Sequence, residues 1–338
     1  MNTPRLAESY RCSQKLAMEP SLSKIPFFES LKPSKNILLA GTGGGFDIYS
    51  GIPLYFELRA LGKNVTITNL SFTDLFASTA TQVFPNCFEI NVHDTERSGR
   101  NYFPELHLKT WLSFQDEQPD LYAFNRVGTA PLKAAYDFLI DKHDIDTIVM
   151  VDGGTDSLMF GDEDGLGTPQ EDMCSMAAVF QTKVKNKKLV SLGFGIDHYH
   201  GVSHYRFLEN LAQITQDGGY LGLFHLLGNS ASGQKFIDAI DYANTKMQGR
   251  QSIVGNSIAS ALENKFGDVH RTHRTSGSEL FINPLMTIYW AFEVDAIIKR
   301  LKYYELIKDV NTIPEFDAQL VKFQRSLEST REKKPIPL

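Results

Sequence analysis

A short apolar segment that runs directly into a glycine cluster is the feature that most constrains the fold. Residues 36–40 read Asn-Ile-Leu-Leu-Ala, and residues 41–45 read Gly-Thr-Gly-Gly-Gly. An apolar run bounded by glycines is typical of a strand buried on both faces of a sheet. Start and stop signals then indicate a helix between Ser50 and Gly62. The alternating segment 64–70 predicts a second strand, so the order is that of a βαβ unit with parallel strands.

The same alternation continues along the chain. Further strands are predicted at 88–92, 146–151 and 189–194, and helices at 131–142 and 171–186, with 97–128 ambiguous and the chain beyond residue 203 mainly helical. The longest helical segment is predicted at 288–307. We therefore expect an α/β, Rossmann-like three-layer sandwich with a mainly parallel sheet and a helical C-terminal portion. The predicted organisation is an N-terminal arm (1–30), an α/β core (31–250) and a mainly helical portion packed on the core (251–338).

The charge balance and the cysteine content limit the partners. The chain carries 34 basic and 40 acidic residues, for a net charge of -6, which argues against a nucleic-acid partner. No apolar run is long enough for a signal peptide or a membrane span, so no membrane partner is expected. Three scattered cysteines favour the reducing cytoplasm over a disulfide framework. A homo-oligomer is compatible with all of these observations.

The glycine cluster after the first strand is the first candidate site. Ligands of open parallel sheets bind at the carboxyl ends of the strands, where glycine lets the backbone approach an anion. The predicted ligand contacts are Gly41, Thr42, Gly43, Gly44, Gly45 and Asp47. Phe46 stands where the dinucleotide fingerprint has its third glycine, and the Walker lysine is absent. The alternatives are a tight turn without a ligand and, for Asp47, a helix cap.

An acidic loop follows the strand at 146–151. Seven carboxylates fall between Asp152 and Asp172, and such groups repel one another unless a cation or raised pKa values relieve them. Asp152 and Asp156 are candidate metal ligands, and Gly153, Gly154 and Thr155 are candidate ligand contacts. Oxygen ligands favour Mg²⁺ or Mn²⁺ over Zn²⁺. The acidic residues at 162–164 are instead expected to be solvated.

A histidine-rich turn follows the strand at 189–194. His198, His200 and His204 lie within seven residues, together with Asp197. Histidine is the usual general acid or base near neutral pH, so these four residues are the candidate catalytic groups. The basic and hydroxyl-rich segment 270–276 could hold an anion, although a solvated loop is favoured there. The chain has no Gly-x-Ser-x-Gly elbow and no HExxH motif.

Three phrases of the sequence resemble a known family. They are ILLAGTGGGFDIYSGIPLYF at 37–56, VDGGTDSLMFGDEDGLGTPQED at 151–172 and GFGIDHYHGV at 193–202. The chain is similar in these phrases to the domain-of-unknown-function family 1152, over roughly residues 35–310. The resemblance implies a shared α/β architecture and no particular chemistry. The DGG phrase is also similar to a turn of D-glutamate-cyclase-like domains, which leaves a lyase reaction open.

The three loops together predict a small-molecule enzyme. We expect an anionic substrate, a nucleotide or a sugar phosphate, and metal-assisted hydrolysis or phosphoryl transfer. A divalent metal and a nucleotide are the expected cofactor and ligand. The alternatives are a nucleotide- or metabolite-binding protein without catalysis, a lyase, and a dinucleotide-dependent oxidoreductase. The imperfect glycine pattern disfavours the last of these.

Overall fold

The computed structural model describes residues 21–336. Within them the chain forms nine strands: β1 (Asn36–Gly41), β2 (Asn64–Leu70), β3 (Thr81–Phe84), β4 (Cys87–Glu89), β5 (Leu121–Phe124), β6 (Thr147–Gly153), β7 (Asn186–Leu192), β8 (Tyr220–His225) and β9 (Ile288–Glu293). The helices described are α1 (Pro26–Ser30), α2 (Asp47–Ser50), α3 (Ile52–Ala60), α4 (Pro104–Ser113), α5 (Thr129–Lys142), α6 (Pro169–Phe180), α7 (His204–Gln216), α8 (Ala231–Lys246), α9 (Ile253–Leu262), α10 (Val294–Ile298), α11 (Tyr304–Ile307) and α12 (Ile313–Ser326).

The strands form one mixed sheet in the order β3-β4-β5-β2-β1-β6-β7-β9-β8. The five central strands, in the sheet order β5-β2-β1-β6-β7, are parallel to one another. The pairs at both edges are antiparallel. The predicted α/β class with a parallel core is therefore confirmed.

Alternate side chains of the central strands point to opposite faces of the sheet, and helices cover both faces. Leu38 and Met150 pack into one hydrophobic core with α5 and α6. Leu39 and Val151 pack into a second core with α3, α4 and α8. This period of two with both faces apolar is the pattern of a sheet buried between two layers. The arrangement is compatible with the predicted three-layer sandwich.

The C-terminal part differs from its prediction. Residues 288–307 were expected to form the longest helix, and this is wrong: 288–293 is strand β9, inserted between β7 and β8. Trp290 and Phe292 are buried side chains of this strand. The apolar run IYWAFE has aromatic and β-branched residues that suit a buried strand, and apolar residues of the following short helix α10 extend the run.

Three other segments were described only loosely by the sequence. The ambiguous stretch 97–128 contains α4 and β5, and the strand predicted at 88–92 is the shorter β4. Residues 1–20 of the predicted N-terminal arm lie outside the described residues. The rest of that arm includes α1, whose Phe27 is fully buried and stacks on Phe224 at 5.4 Å between ring centroids.

The expectation of a solvated acidic loop at 162–164 is wrong for its first two residues. Asp162 and Glu163 are buried, because Arg331 bonds to both of them. Lys302 also pairs with Asp162. These cations lie far along the chain, so the local composition did not indicate them. In the part of the chain described, no helix is both long enough and apolar enough to cross a membrane.

Candidate functional site

A cavity of about 500 Å³ opens at the carboxyl edge of the sheet. Its floor lies where β1 and β6 are neighbours, and the chain leaves these two strands toward opposite faces, to α3 and to α6. Such a reversal of winding creates the crevice in which α/β proteins bind ligands. The cavity is lined by Gly43, Gly44, Asp47, Phe72, Arg126, Asp152, Gly153, Asp156, Thr168, Gln170, Glu171, Asp172, Asp197, His200 and Val254.

The three loops singled out in the sequence meet in this cavity. Asp47 comes from the glycine loop, Asp156 from the acidic loop and His200 from the histidine-rich turn, and all three line it. They meet because β1, β6 and β7 are adjacent parallel strands, so the segments after them leave from the same edge.

A cluster of three carboxylates forms the centre of the site. One oxygen from each of Asp47, Asp152 and Asp172 lies within 4.8 Å of the other two. Asp172 comes from the first turn of α6, and its Oδ1 is buried without a hydrogen-bond partner among the described residues. A buried carboxylate oxygen without a partner is unfavourable, and a bound cation would satisfy it.

The pKa values of the clustered carboxyl groups are raised, because it is unfavourable to bury several negative charges together. Burial raises the pKa of Asp47 to about 7, and the neighbouring charges of Asp156 and Glu171 add to the effect. Burial, followed by the charge of Asp156, also raises the pKa values of Asp152, Asp172 and Asp197 well above the ordinary range. Ionising all of these groups together is therefore unfavourable unless positive charge is brought to them.

Hydrogen bonds hold four of the lining carboxylates in place. Asp47 accepts from the Gly43 N–H at 2.6 Å, and Asp197 accepts from the Thr155 N–H at 2.6 Å. Asp156 accepts from the N–H and the hydroxyl of Thr168. Asp152 accepts from the hydroxyl of Ser157. Asp172 accepts none of these hydrogen bonds.

Gly43 leaves the space into which two of the carboxylates project. A Cβ atom at this position would lie 2.6 Å from Asp172 Oδ1 and 2.8 Å from Asp47 Oδ2. Gly154 does the same for Asp197, since its Cβ would lie 2.5 Å from Asp197 Oδ2 and its φ is +152°. The glycines are therefore required by the close approach of carboxylates.

The glycine loop binds the protein itself more than was expected. The N–H groups of Thr42, Gly43 and Gly45 donate to Val151 O, Asp47 Oδ2 and Leu70 O. Three of the five amides predicted to hold an anion are thus already bonded within the protein. Buried Asn69 supports the loop from behind, because its Nδ2 donates to Gly45 O at 2.8 Å and to Glu105 at 2.7 Å.

The charge of the cavity is strongly negative. Six of the residues that line it carry a carboxylate. Arg126 is the one arginine or lysine among the described lining residues, and it pairs with Glu171. His200 is exposed and also lines the cavity, where a positive charge on its ring would lower the pKa of Asp156. The three carboxylates of the cluster, Asp47, Asp152 and Asp172, therefore form no ion pair with an arginine or lysine in the described part of the chain.

Two of the predicted catalytic histidines lie away from the cavity. His198 is exposed, and His204 is half-buried against Phe194. Their rings stack on each other at 5.4 Å between centroids. Burial, and then the charge of His198, lowers the pKa of His204. A short 3-10 helix, Ile196–His200, ends at Gly201 and separates His200 from α7.

The other residues predicted to contact a ligand do not line the cavity. Gly41 lies at the end of β1, and Thr42 is fully buried. Gly45 has a φ of +59° and packs against Tyr102. Thr155 is buried and bonds Asp197. A role for these residues as ligand contacts stays a prediction.

Sequence reasoning missed Asp172, the third member of the cluster. Its position in the first turn of α6 is explained equally well by the favourable interaction of an acidic side chain with a helix N-terminus. Arg126 and Phe72 were missed because they follow β5 and β2, strands whose ends carry no glycine signal. Asp152 lies at the end of β6 and Asp172 at the start of α6. Their proximity could be inferred only from the packing of α6 against β6, which the sequence alone does not give.

A family model described as "Protein of unknown function (DUF1152)" matches residues 125–335. The match covers well over half of the chain, so the chain belongs to this family. It includes the acidic loop and the histidine-rich turn, whereas the glycine loop lies before its first residue. No curated protein gives a significant sequence match.

Proposed function

We propose that this member of the DUF1152 family is an enzyme that uses a divalent cation to hydrolyse, or to transfer the phosphoryl group of, a small phosphorylated substrate. The observation that carries the proposal is the convergence of Asp47, Asp152 and Asp172, with oxygens within 4.8 Å of one another, in a cavity where Asp172 Oδ1 has no partner among the described residues. The cytoplasm and the absence of nucleic-acid and membrane partners remain our expectations.

The ligand atoms indicate the class of metal. All three groups of the cluster are carboxylates, and no sulfur or imidazole belongs to it. Hard oxygen ligands suit Mg²⁺ and Mn²⁺, whereas Zn²⁺ sites usually contain nitrogen or sulfur. A divalent ion there would neutralise the carboxylates and act as a Lewis acid toward a phosphoryl oxygen.

The chain's own residues divide the remaining tasks. Asp47, Asp152 and Asp172 would hold the cation, and Asp156 and Asp197 would keep the lining negative and fixed through their bonds to Thr168 and Thr155. His200 lines the cavity from the exposed side and would transfer a proton to or from the substrate. This set of parts supports phosphoryl chemistry more than hydride transfer, because acidic groups fill the crevice where a dinucleotide would place its pyrophosphate.

Metal binding and turnover test the proposal separately. Titration calorimetry with Mn²⁺ should give one specific site in the wild type and none in Asp172→Asn. Asp238→Asn is the matched control, because Asp238 is exposed on α8 and lines no part of the cavity. A panel of phosphomonoesters, sugar phosphates and nucleotides should then show Mn²⁺- or Mg²⁺-dependent release of phosphate that Asp47→Asn and Asp172→Asn lower by about a hundredfold or more.

The outcomes separate the alternative functions. Equal Mn²⁺ affinity in the wild type and Asp172→Asn would reject the metal site. Binding of Mn²⁺ and of a phosphorylated ligand without any turnover would favour a binding protein. Unchanged turnover after alanine substitution of Asp152, Asp156 and His200 would show that the roles assigned to them are wrong. A product with a new double bond and no released phosphate would favour a lyase.

A further inference from the structure

A second cavity, of about 480 Å³, adjoins the acidic one. The two share Phe72, His200 and Val254 as a common wall. Each volume lies within the usual range for small-molecule sites, so the pair together can accommodate a ligand of nucleotide size. A substrate bound in the acidic cavity could therefore extend into the second cavity and contact the residues that line it.

The charge of the second cavity is opposite to that of the first. Arg100, Arg250 and Arg274 line it, and no carboxylate is among its described lining residues. Arg274 is held by a bond from its Nη1 to the Gln251 carbonyl at 2.6 Å. The first residues of α9 also line the cavity, so the positive end of that helix adds to the same field. Guanidinium groups in such a place suit phosphate oxygens.

Aromatic rings form the other part of its lining. Phe46, Phe72 and Tyr102 contribute, with the Phe46 and Tyr102 rings 6.1 Å apart between centroids. Phe72 is 42% exposed, a large apolar residue at the edge of a polar site. A planar base stacks favourably on such rings, whereas a sugar phosphate has no flat face to place against them.

We propose that the substrate is a nucleotide that spans the two cavities, with its base against Phe46, Phe72 and Tyr102 and its phosphates between the arginines and the carboxylate cluster. This assignment rests on the proposed function for the phosphoryl chemistry, and it names the substrate class. In this assignment side chains, and not the glycine-loop amides, bind the phosphates, because three of those amides are already bonded within the protein.

Ligand titration tests the assignment independently of catalysis. The probes are ADP and ribose 5-phosphate, each titrated calorimetrically in the presence of Mn²⁺. The wild type should bind ADP about tenfold or more tightly than ribose 5-phosphate, because only ADP carries a base. The double variant Arg250→Gln/Arg274→Gln should weaken ADP binding by about tenfold or more while leaving Mn²⁺ affinity unchanged. Arg325→Gln, an exposed arginine on α12, is the control.

Replacement of Phe72 by leucine tests the contribution of base stacking to ADP binding separately from that of the arginine charges. It should weaken ADP binding by about tenfold and leave ribose 5-phosphate binding unchanged. Equal affinities of the wild type for the two probes, no ADP binding at all, or full ADP affinity in the double arginine variant would each overturn the assignment. Arginine-dependent ADP binding without nucleotide turnover would support it and count against the proposed function. Turnover of other phosphoesters without a preference for ADP would support the proposed function and count against the nucleotide assignment.

Discussion

Thr168 donates two hydrogen bonds to one oxygen of Asp156, from its N–H at 2.9 Å and from its hydroxyl at 3.1 Å. Thr168 immediately precedes α6, and Asp172 lies in the first turn of that helix. The acidic loop after β6 is therefore attached to the start of the helix that supplies the third carboxylate. A change at Thr168 should affect both the position of Asp156 and the geometry of the cluster.

We expect Thr168→Val to lower the free energy of unfolding by about 1 kcal/mol, because a buried carboxylate loses one hydrogen bond. Mn²⁺ affinity should fall by roughly tenfold through the displaced start of α6. Urea unfolding and titration calorimetry measure the two effects. Thr215→Val is the control, since Thr215 is exposed and its hydroxyl bonds only within α7. Wild-type Mn²⁺ affinity in Thr168→Val would show that this contact does not support the cluster.

Gly43→Ala should weaken cation binding. The new Cβ would lie 2.6 Å from Asp172 Oδ1 and 2.8 Å from Asp47 Oδ2, so both carboxylates must move apart. We expect the Mn²⁺ affinity to fall by about tenfold or more. Gly62→Ala is the control: with a φ of +74° and open space around it, it should cost about 1 kcal/mol of stability and leave Mn²⁺ binding intact. Equal Mn²⁺ binding by the two variants would contradict the role of Gly43.

The raised pKa of Asp47 predicts an unusual pH dependence of stability. The folded protein keeps this proton up to about pH 7, whereas the ordinary value is 3.8. Between these values the folded state binds more protons than the unfolded chain, so the free energy of unfolding falls as the pH rises. The contribution should be roughly 2–4 kcal/mol over the window from pH 4 to pH 7.

Chemical denaturation at several pH values, without divalent cations, measures this slope. Asp47→Asn should lose part of the pH dependence, because the amide does not titrate. Saturating Mn²⁺ should flatten the wild-type slope as well, because the cation stabilises the ionised form. An identical slope in the wild type and Asp47→Asn would show that Asp47 titrates normally.

Arg331→Ala should be strongly destabilising. Arg331 Nη2 lies 2.8 Å from Asp162 Oδ1 and 2.5 Å from Glu163 Oε1, and the Glu163 side chain is 1% exposed. Removing the guanidinium leaves buried carboxylates without their main partner, which should lower the free energy of unfolding by roughly 2–4 kcal/mol. Arg325→Ala, on the exposed face of α12, should change it by less than about 0.5 kcal/mol. Thermal and urea unfolding compare the two variants, and similar stabilities would refute the importance of this pairing.

The central strands could be predicted because their signals are local. The run at 36–40 is apolar and leads into glycines, the segment 64–70 alternates and is rich in β-branched residues, and the two form β1 and β2. The meeting of Asp47, Asp156 and His200 also followed from sequence, because parallel strands align their carboxyl ends at one edge of the sheet.

The features that sequence reasoning missed depend on contacts between distant residues. Nothing near Asp162 and Glu163 indicates that Arg331 would bury them. Asp172 carries no signal that separates a ligand of a cluster from an acidic residue at a helix start. The arginines of the second cavity come from separate segments, and only Arg274 was noticed, within a segment expected to be solvated.

The insertion of β9 between β7 and β8 has a consequence for how the chain folds. β8 (Tyr220–His225) pairs only with β9 (Ile288–Glu293) among the described strands, so during synthesis it emerges well before its partner. Until then both β8 and the free edge of β7 expose unpaired backbone groups, the kind of edge at which chains associate wrongly. Closing this late, long-range pair should therefore be slow, and it is the step at which a molecular chaperone would be most useful.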